Sequence, residues 1–286
     1  MKKHAIACLT VLAGLWLLPW HGAAAFPPAP FHTVYGDVRD AYGNLVAAEG
    51  AVVILYQGSR EIQRRSISAA TGGNYNYQMR MRIDMFRAAT SGYNSSALKS
   101  GSTYTLAVNI GGQQFQPIEV ATPPTVGAPA DRRRLNLTLG IDSDGDGIPD
   151  VWEESQLYHG GDTPGPDGWD LSKIDRDGDY DRDGMSNWNE YLAGTYATDR
   201  SSALRLEIKE LSGGKARLEF YALYGRTYAL ESSTDAKTWQ PLAFTTSDAA
   251  DSSATAVTSL VATTSGLMSL HIPVTETSNF YRLSVR

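Results

Sequence analysis

Apolar and polar residues alternate in short runs along most of this 286-residue chain, and glycine, proline and asparagine separate the runs. Period-two alternation marks half-buried strands, and short continuous apolar runs mark buried ones. From Phe31, "FHTVYGDV" alternates and "DAYGN" turns. "AVVILYQ" reads as a buried strand, "GS" turns it, and the chain returns over Glu61 to Ile67. "NYNYQMRMRI" is amphipathic at period two, and "RRRLNLTLG" closes the set. "STYTLAVNI" and "QQFQPIEV" flank Gly111-Gly112, a strong hairpin signal. Pro117 lacks a ladder N–H, so it predicts an edge strand or a bulge. About seven short strands predict a β-sandwich over residues 26–140.

From Ala203 the chain is strand-like again, through "ALRLEIKEL", "KARLEFYAL", "RTYALESSTD", "LMSLHIPV" and "NFYRLSVR". This predicts a second small β-sandwich over residues 201–286. Its polar stretch from Thr245 to Ser265 is expected to hold a long loop or weak edge strands, and His271 reads as a strand residue. Residues 141–200 break the pattern. They are rich in Asp and Gly, with two short helical pieces. One is "PDVWEESQLYHG", where Pro149 suits a first turn and Gly160 the end. The other is "NWNEYLAG", opened by Ser186 as N-cap. The expected fold class is mainly β: two small β-sandwich domains joined by a loop-helix segment.

Charge changes the picture most in that middle segment. Between Asp142 and Asp199 lie 16 of the 31 acidic residues, against three basic ones, Lys173, Arg176 and Arg182. Such a segment repels phosphates, which excludes a nucleic-acid site there, and attracts a cation. The acidic residues are also spaced. A twelve-residue calcium loop takes oxygens from positions 1, 3, 5, 9 and 12 and a backbone carbonyl from 7, with glycine at 6. "DSDGDGIPDVWE" places Asp142, Asp144 and Asp146 at 1, 3 and 5, and Gly147 at 6. Ile148 follows at 7, Asp150 at 9 through a water, and Glu153 at 12. "DYDRDGMSNWNE" repeats the fit with Asp179, Asp181, Asp183, Gly184, Met185, Asn187 and Glu190. Asp175 and Asp177 precede it in the same rhythm, and either join the second site or hold a further ion.

Two complete matches point to about two calcium ions rather than to a solvated acidic linker. Six or seven flexible oxygens suit calcium better than magnesium, and zinc would want His or Cys where only His159 is near. Five carboxylates crowded into one turn repel, so ion binding and ordering are one event. Trp152, Tyr158, Trp169, Trp188, Tyr191 and Leu192 are expected to form a miniature core rather than a carbohydrate platform.

The N-terminus reads as an export signal over residues 1–25. Lys2 and Lys3 precede the apolar run Ile6–Leu18, Pro19 breaks it, and Ala23-Ala24-Ala25 offers a cleavage site. The alternative is an uncleaved anchor. Cys8, the single cysteine, lies inside this signal, so the exported chain has neither disulfide nor thiol chemistry, and no other segment spans a membrane. The expected location is extracellular, cell-surface or periplasmic. No Gly-x-Ser-x-Gly elbow, phosphate loop or His-Glu-x-x-His motif is present, so no enzyme is expected.

Three resemblances follow from these residues. The loop-plus-exit-helix units of 141–199 resemble thrombospondin type 3 repeats, and less closely EF-hands and dockerins. Strand-like "RRRLNLTLG" stands where an EF-hand has its entering helix, Pro149 lacks the N–H of an EF-hand β-bridge, and the cysteines of thrombospondin repeats are missing. "GDVRDAYGNLV" with "GAVVILY" resembles the transthyretin-like, carboxypeptidase-regulatory-type sandwiches of exported bacterial proteins. "GRTYALESSTDAKTW" is similar to C-terminal β modules that follow Asp-rich calcium segments in such proteins. The calcium loops, the export signal and the missing catalytic motifs together lead to the expectation of an exported, calcium-binding, non-enzymatic structural or adhesion protein whose partner is an unidentified extracellular protein or glycan. The alternatives are a dockerin-like docking module and a carbohydrate-binding protein.

Overall fold

The computed structural model describes residues 29–68, 75–84, 95–247, 255–274 and 280–286. The expected export signal and Cys8 lie outside these residues. The protein is mainly β. Among the described residues no helix is long and apolar enough to cross a membrane.

The N-terminal strands are β1 (His32–Gly36), β2 (Val38–Arg39), β3 (Val52–Gln57), β4 (Arg60–Ser66), β5 (Tyr77–Met81), β6 (Ile83–Asp84), β7 (Leu98–Lys99), β8 (Thr105–Ile110), β9 (Gln113–Phe115), β10 (Arg132–Arg134) and β11 (Leu137–Thr138). They build one sheet in the order β10-β1-β5, a second in the order β4-β3-β8-β9, and the short pairs β11-β2 and β6-β7. Alternation decides the faces. Tyr77, Met79 and Met81 of β5 are buried, and Arg80 between them is exposed. Val34, Met79 and Met81 share one core with Val53, Leu55, Leu106 and Val108 of the other sheet. Gly111 and Gly112 turn β8 into β9 with φ of 59° and 89°, a conformation that glycine adopts without strain.

β9 is an edge strand of its sheet, and Pro117, just beyond it, makes an isolated antiparallel bridge with Leu139. The strand stops at Phe115, and a 3₁₀ turn over Ile118–Val120 follows, with Pro117 just before it. Glu119 in that turn accepts from Thr138 N (2.8 Å) and Thr138 Oγ1 (2.7 Å). The turn therefore pins β11, the last strand before the Asp-rich segment.

That segment contains α1 (Asp150–His159) and α2 (Asn187–Ala193). Pro149 sits at the start of α1 with φ −72°. Its missing N–H costs nothing there, because first-turn N–H groups have no helical acceptor. Ser186 Oγ accepts from Asn189 N and caps α2, and Gly194 ends it in the left-handed region with φ 74°. Gly160, expected to end α1, keeps right-handed φ (−69°), and Gly161 takes the left-handed turn (φ 88°). Ile148, Trp152, Leu157, Ile174, Tyr191 and Ala197 form a separate small core, with Trp169, Trp188 and Leu192 packed against it. Tyr158 is outside it at 74 % exposure, unlike the expectation.

The C-terminal strands are β12 (Glu207–Ser212), β13 (Lys215–Ala222), β14 (Thr227–Ser233), β15 (Gln240–Leu242), β16 (Ser259–Val261), β17 (Gly266–Pro273) and β18 (Phe280–Val285). One sheet runs β12-β13-β17; in the other, β14 pairs β15, β16 and β18. Ala216, Leu218, Phe220 and Ala222 of β13 point inward onto Tyr228, Leu230 and Phe244. His271 lies in β17 opposite Arg217, as expected of a strand residue. Part of the Thr245–Ser265 stretch lies outside the described residues, and its described part contains β16.

Three segments meet at one buried joint. Arg39 Nη2 from the N-terminal module donates to Gly225 O of the C-terminal one (3.3 Å). In return, Arg226 Nη2 donates to Tyr42 O (3.4 Å) and to Tyr191 O of α2 (3.3 Å). Tyr191 OH donates to Asp40 O (3.5 Å). Asp37 holds the Arg39 guanidinium from the side (3.3 Å).

Candidate metal centre

The two acidic loops share one internal ladder. In the first, Asp142 accepts from Gly145 N (2.8 Å) and Gly147 N (3.0 Å), Asp144 from Asp146 N (3.3 Å), and Asp146 Oδ1 from Ile148 N (2.7 Å). In the second, Asp179 accepts from Asp183 N (3.2 Å) and Gly184 N (3.0 Å). Asp181 Oδ1 accepts from Asp183 N (3.0 Å), and Asp183 Oδ1 from Met185 N (2.7 Å). Aspartate favours such bonds because its short side chain reaches an N–H two residues on. The ladder curls each loop until one carboxylate oxygen from each of the three aspartates lies within 4.8 Å of the others.

Glycine at the sixth position is a backbone requirement, since Gly147 and Gly184 have φ of 93° and 102°. The fourth position is left-handed as well, at Gly145 (φ 82°) and Arg182 (φ 62°). Sequence reading missed this constraint, because only one of the two residues is glycine.

At position 9 the side chains bind the loop itself. Asp150 Oδ1 accepts from Ser143 N (2.7 Å) and Oδ2 from Ser143 Oγ (2.6 Å). Asn187 Oδ1 accepts from Tyr180 N (3.2 Å), and its amide donates to Asp175 O (2.6 Å). Ser143 and Tyr180 both stand at position 2. In both loops the ninth side chain is therefore a strut that ties the loop's end to its start.

The glutamates at position 12 are placed differently. Glu153 and Glu190 are fully buried. Among the described residues, neither oxygen of Glu153 has a hydrogen-bond donor, and Glu190 Oε2, Asp181 Oδ2 and Asp183 Oδ2 also lack one. Burial, and then the charges of Asp144, Asp146, Asp150 and Asp142, push the Glu153 carboxyl up to about 9. Burial, Asp181 and Asp183 push Glu190 up to about 8. Burial also raises Asp146 and Asp181 above the ordinary range. Among the described residues no backbone hydrogen bond engages the carbonyl of Ile148 or Met185, the two position-7 oxygens. Buried anionic oxygens without donors cost several kcal/mol each, and a cation is the group that offsets them.

Asp175 and Asp177 fall outside both aspartate triads. Asp175 Oδ1 accepts from Asp177 N (2.9 Å), and Asp175 O receives Asn187, so the pair supports the second loop from behind. Arg176 between them crosses to the first loop: its N donates to Asp146 Oδ2 (2.8 Å) and its Nη1 to Asp146 O (3.1 Å). The same guanidinium lies 3.5 Å from the Trp188 ring centroid. Trp188 stacks on Tyr191, and Trp152 meets Tyr191 edge-on at 5.4 Å. Gln156 of α1 accepts from Ala197 N (3.0 Å) and so ties the first helix to the chain beyond the second. The oxygen set is hard and anionic, with no ring nitrogen or thiolate in either triad, which fits calcium chemistry. Comparison with protein-family models and with curated proteins finds no match.

Proposed function

We propose that this chain is an exported, non-enzymatic calcium-binding protein in which about two ions order the link between two β modules, serving a structural or adhesive role. One observation carries the reading: the same ladder occurs twice, and each copy ends on a buried glutamate with an oxygen that no donor reaches. Asp142, Asp144, Asp146, Ile148 and Glu153 would hold one ion. Asp179, Asp181, Asp183, Met185 and Glu190 would hold the other.

Calcium supplies charge neutralisation and takes irregular oxygen shells that magnesium, with its strict octahedron, accepts poorly. Its effect reaches the modules through α2. Glu190 is followed by Tyr191, whose carbonyl receives Arg226 and whose hydroxyl reaches Asp40. Ordering the second loop therefore fixes the residue on which both modules rest. This use of α2 disfavours the dockerin-like alternative, in which a loop-helix unit must present its helix to a partner.

The test is calorimetric titration of the protein with calcium, alongside thermal melts in calcium and in chelator. Binding of about two ions with a clear rise in melting temperature is expected. Absence of binding and of any shift would reduce the acidic segment to a solvated spacer.

A further inference from the structure

The N-terminal module carries a second, opposite chemistry on its outer face. Residues 29–140 hold eleven Lys or Arg, ten of them Arg, against seven Asp or Glu. Strand alternation sends several of these arginines to one side. Thr33 of β1 lies between Arg132 of β10 and Arg80 of β5 in a single row across the sheet. The Arg80 guanidinium lies over the Phe31 ring at 4.3 Å, and that of Arg132 over Tyr35 at 5.2 Å. β4 runs beside this edge. With its amide oriented to suit its neighbours, Gln63 donates to Arg80 O (3.0 Å) and accepts from Arg65 Nε (2.9 Å). Phe31, Ile62, Gln63, Arg65, Arg80 and Arg82 bound a cavity of about 250 Å³ with no carboxylate in its wall.

These cations are not neutralised from within. Among the described residues, Arg65, Arg80, Arg82 and Arg132 take part in no ion pair. Glu61, the carboxylate of β4, is already held by Arg64. Residues 69–74 and 85–94 contain no Asp or Glu.

We infer that this face docks an acidic polysaccharide. Guanidinium forks match carboxylate and sulfate groups with two hydrogen bonds each, which explains arginine in place of lysine. Arg80 and Arg132 stand two strand spacings apart, roughly 10 Å, so the row suits a chain of repeated charges better than one small anion. The rings beneath hold the guanidinium planes and add apolar surface at the edge of the row. A bilayer would call for exposed apolar side chains that insert. Among the described residues the N-terminal module has one large exposed apolar side chain, Tyr42, which lies at the joint and not in this row, and the others, such as Tyr158, Leu211 and Leu267, lie in the central segment and the C-terminal module. The inference is independent of the calcium reading.

The test uses the purified protein in calcium and 0.15 M salt, with immobilised heparin as the sulfated polysaccharide and dextran as the neutral one. Vesicles of anionic phosphatidylglycerol are run in parallel. The combined variant R65A/R80A/R82A is compared with R205A/K215A/K237A, which removes equal charge from the C-terminal module. Expected are binding to heparin, none to dextran, and a loss of about tenfold or more in the first variant alone. Should that variant not fold, R132A replaces it, with a loss of about threefold expected. Equal losses in the two triple variants, no heparin binding, or binding to vesicles without binding to heparin would each overturn the inference. Self-association in sedimentation that R65A/R80A/R82A abolishes would also overturn it, in favour of a second copy's acidic segment as occupant.

Discussion

Glu153→Gln exchanges one carboxylate oxygen for an amide at nearly constant size, so it isolates charge from packing. Extracellular calcium modules bind at roughly 10⁻⁴ to 10⁻³ M. At about 10 mM calcium a filled site then adds roughly 1.4–2.7 kcal/mol to stability. For a chain of this size ~1 kcal/mol moves the melting temperature by ~2–4 °C, so losing the first site should lower it by about 3–10 °C in calcium. In chelator the sign changes. Burial and four aspartates hold the Glu153 carboxyl near 9, above its unfolded value. Such a group takes up a proton on folding, so its burden is absent at low pH and grows as pH rises toward 9. Glutamine imitates the protonated acid at every pH. The variant should therefore melt no lower than the parent in chelator at pH 8. Scanning calorimetry of both proteins in both buffers measures this. An equal drop with and without calcium would show that the carboxylate acts independently of any ion, and the reasoning would fail.

Three further outcomes are expected. In chelator, the melting temperature of the parent should fall as pH rises from 5 to 9, since Glu153 and Glu190 are both raised, while calcium affinity should tighten over the same range. A flat melting profile in chelator would contradict the burial of these groups. Arg226→Ala leaves the carbonyls of Tyr42 and Tyr191 without their donor and should cost about 2–3 kcal/mol, with a larger radius of gyration in X-ray scattering. A variant that keeps the parent's scattering curve would exclude the joint as the element that sets module orientation. Gly43→Ala places a methyl carbon 2.6 Å from Arg226 Nη2 at a φ of 75°. Denaturant midpoints should show it costing about 1–3 kcal/mol, clearly more than Gly50→Ala, which has a similar φ but open space around it.

Much of this was legible in the chain. Period-two alternation marked β5, because Tyr77, Met79 and Met81 lie against a core while Arg80 is in water, and a continuous apolar run marked β3, because Val53, Ile54 and Leu55 are all buried. The loop positions were legible because acid spacing and glycine at the sixth position are local requirements. What spacing does not carry is the identity of the donor. Asp150 and Asn187 occupy the ninth position in sequence, yet Ser143 and Tyr180 claim their oxygens, and that choice is made by the closed loop. The left-handed fourth position was hidden by Arg182, which tolerates it without glycine's signature. The exchange of Arg39 and Arg226 across the modules was invisible, since each reads locally as an ordinary strand-end cation. Only tertiary packing buries both and aims them at carbonyls far away in sequence.

Arg176 gives the two loops a shared history. It belongs to the approach of the second loop, yet its amide and guanidinium hold the fifth residue of the first, and its flat face rests on Trp188 of the second helix. An ion entering either loop thus organises a group that the other requires, and thermodynamic reciprocity makes the benefit mutual. Two ions held this way would not titrate as independent guests. The second would arrive more readily than the first, and Trp188 fluorescence would trace one steep step over a narrow span of calcium concentration.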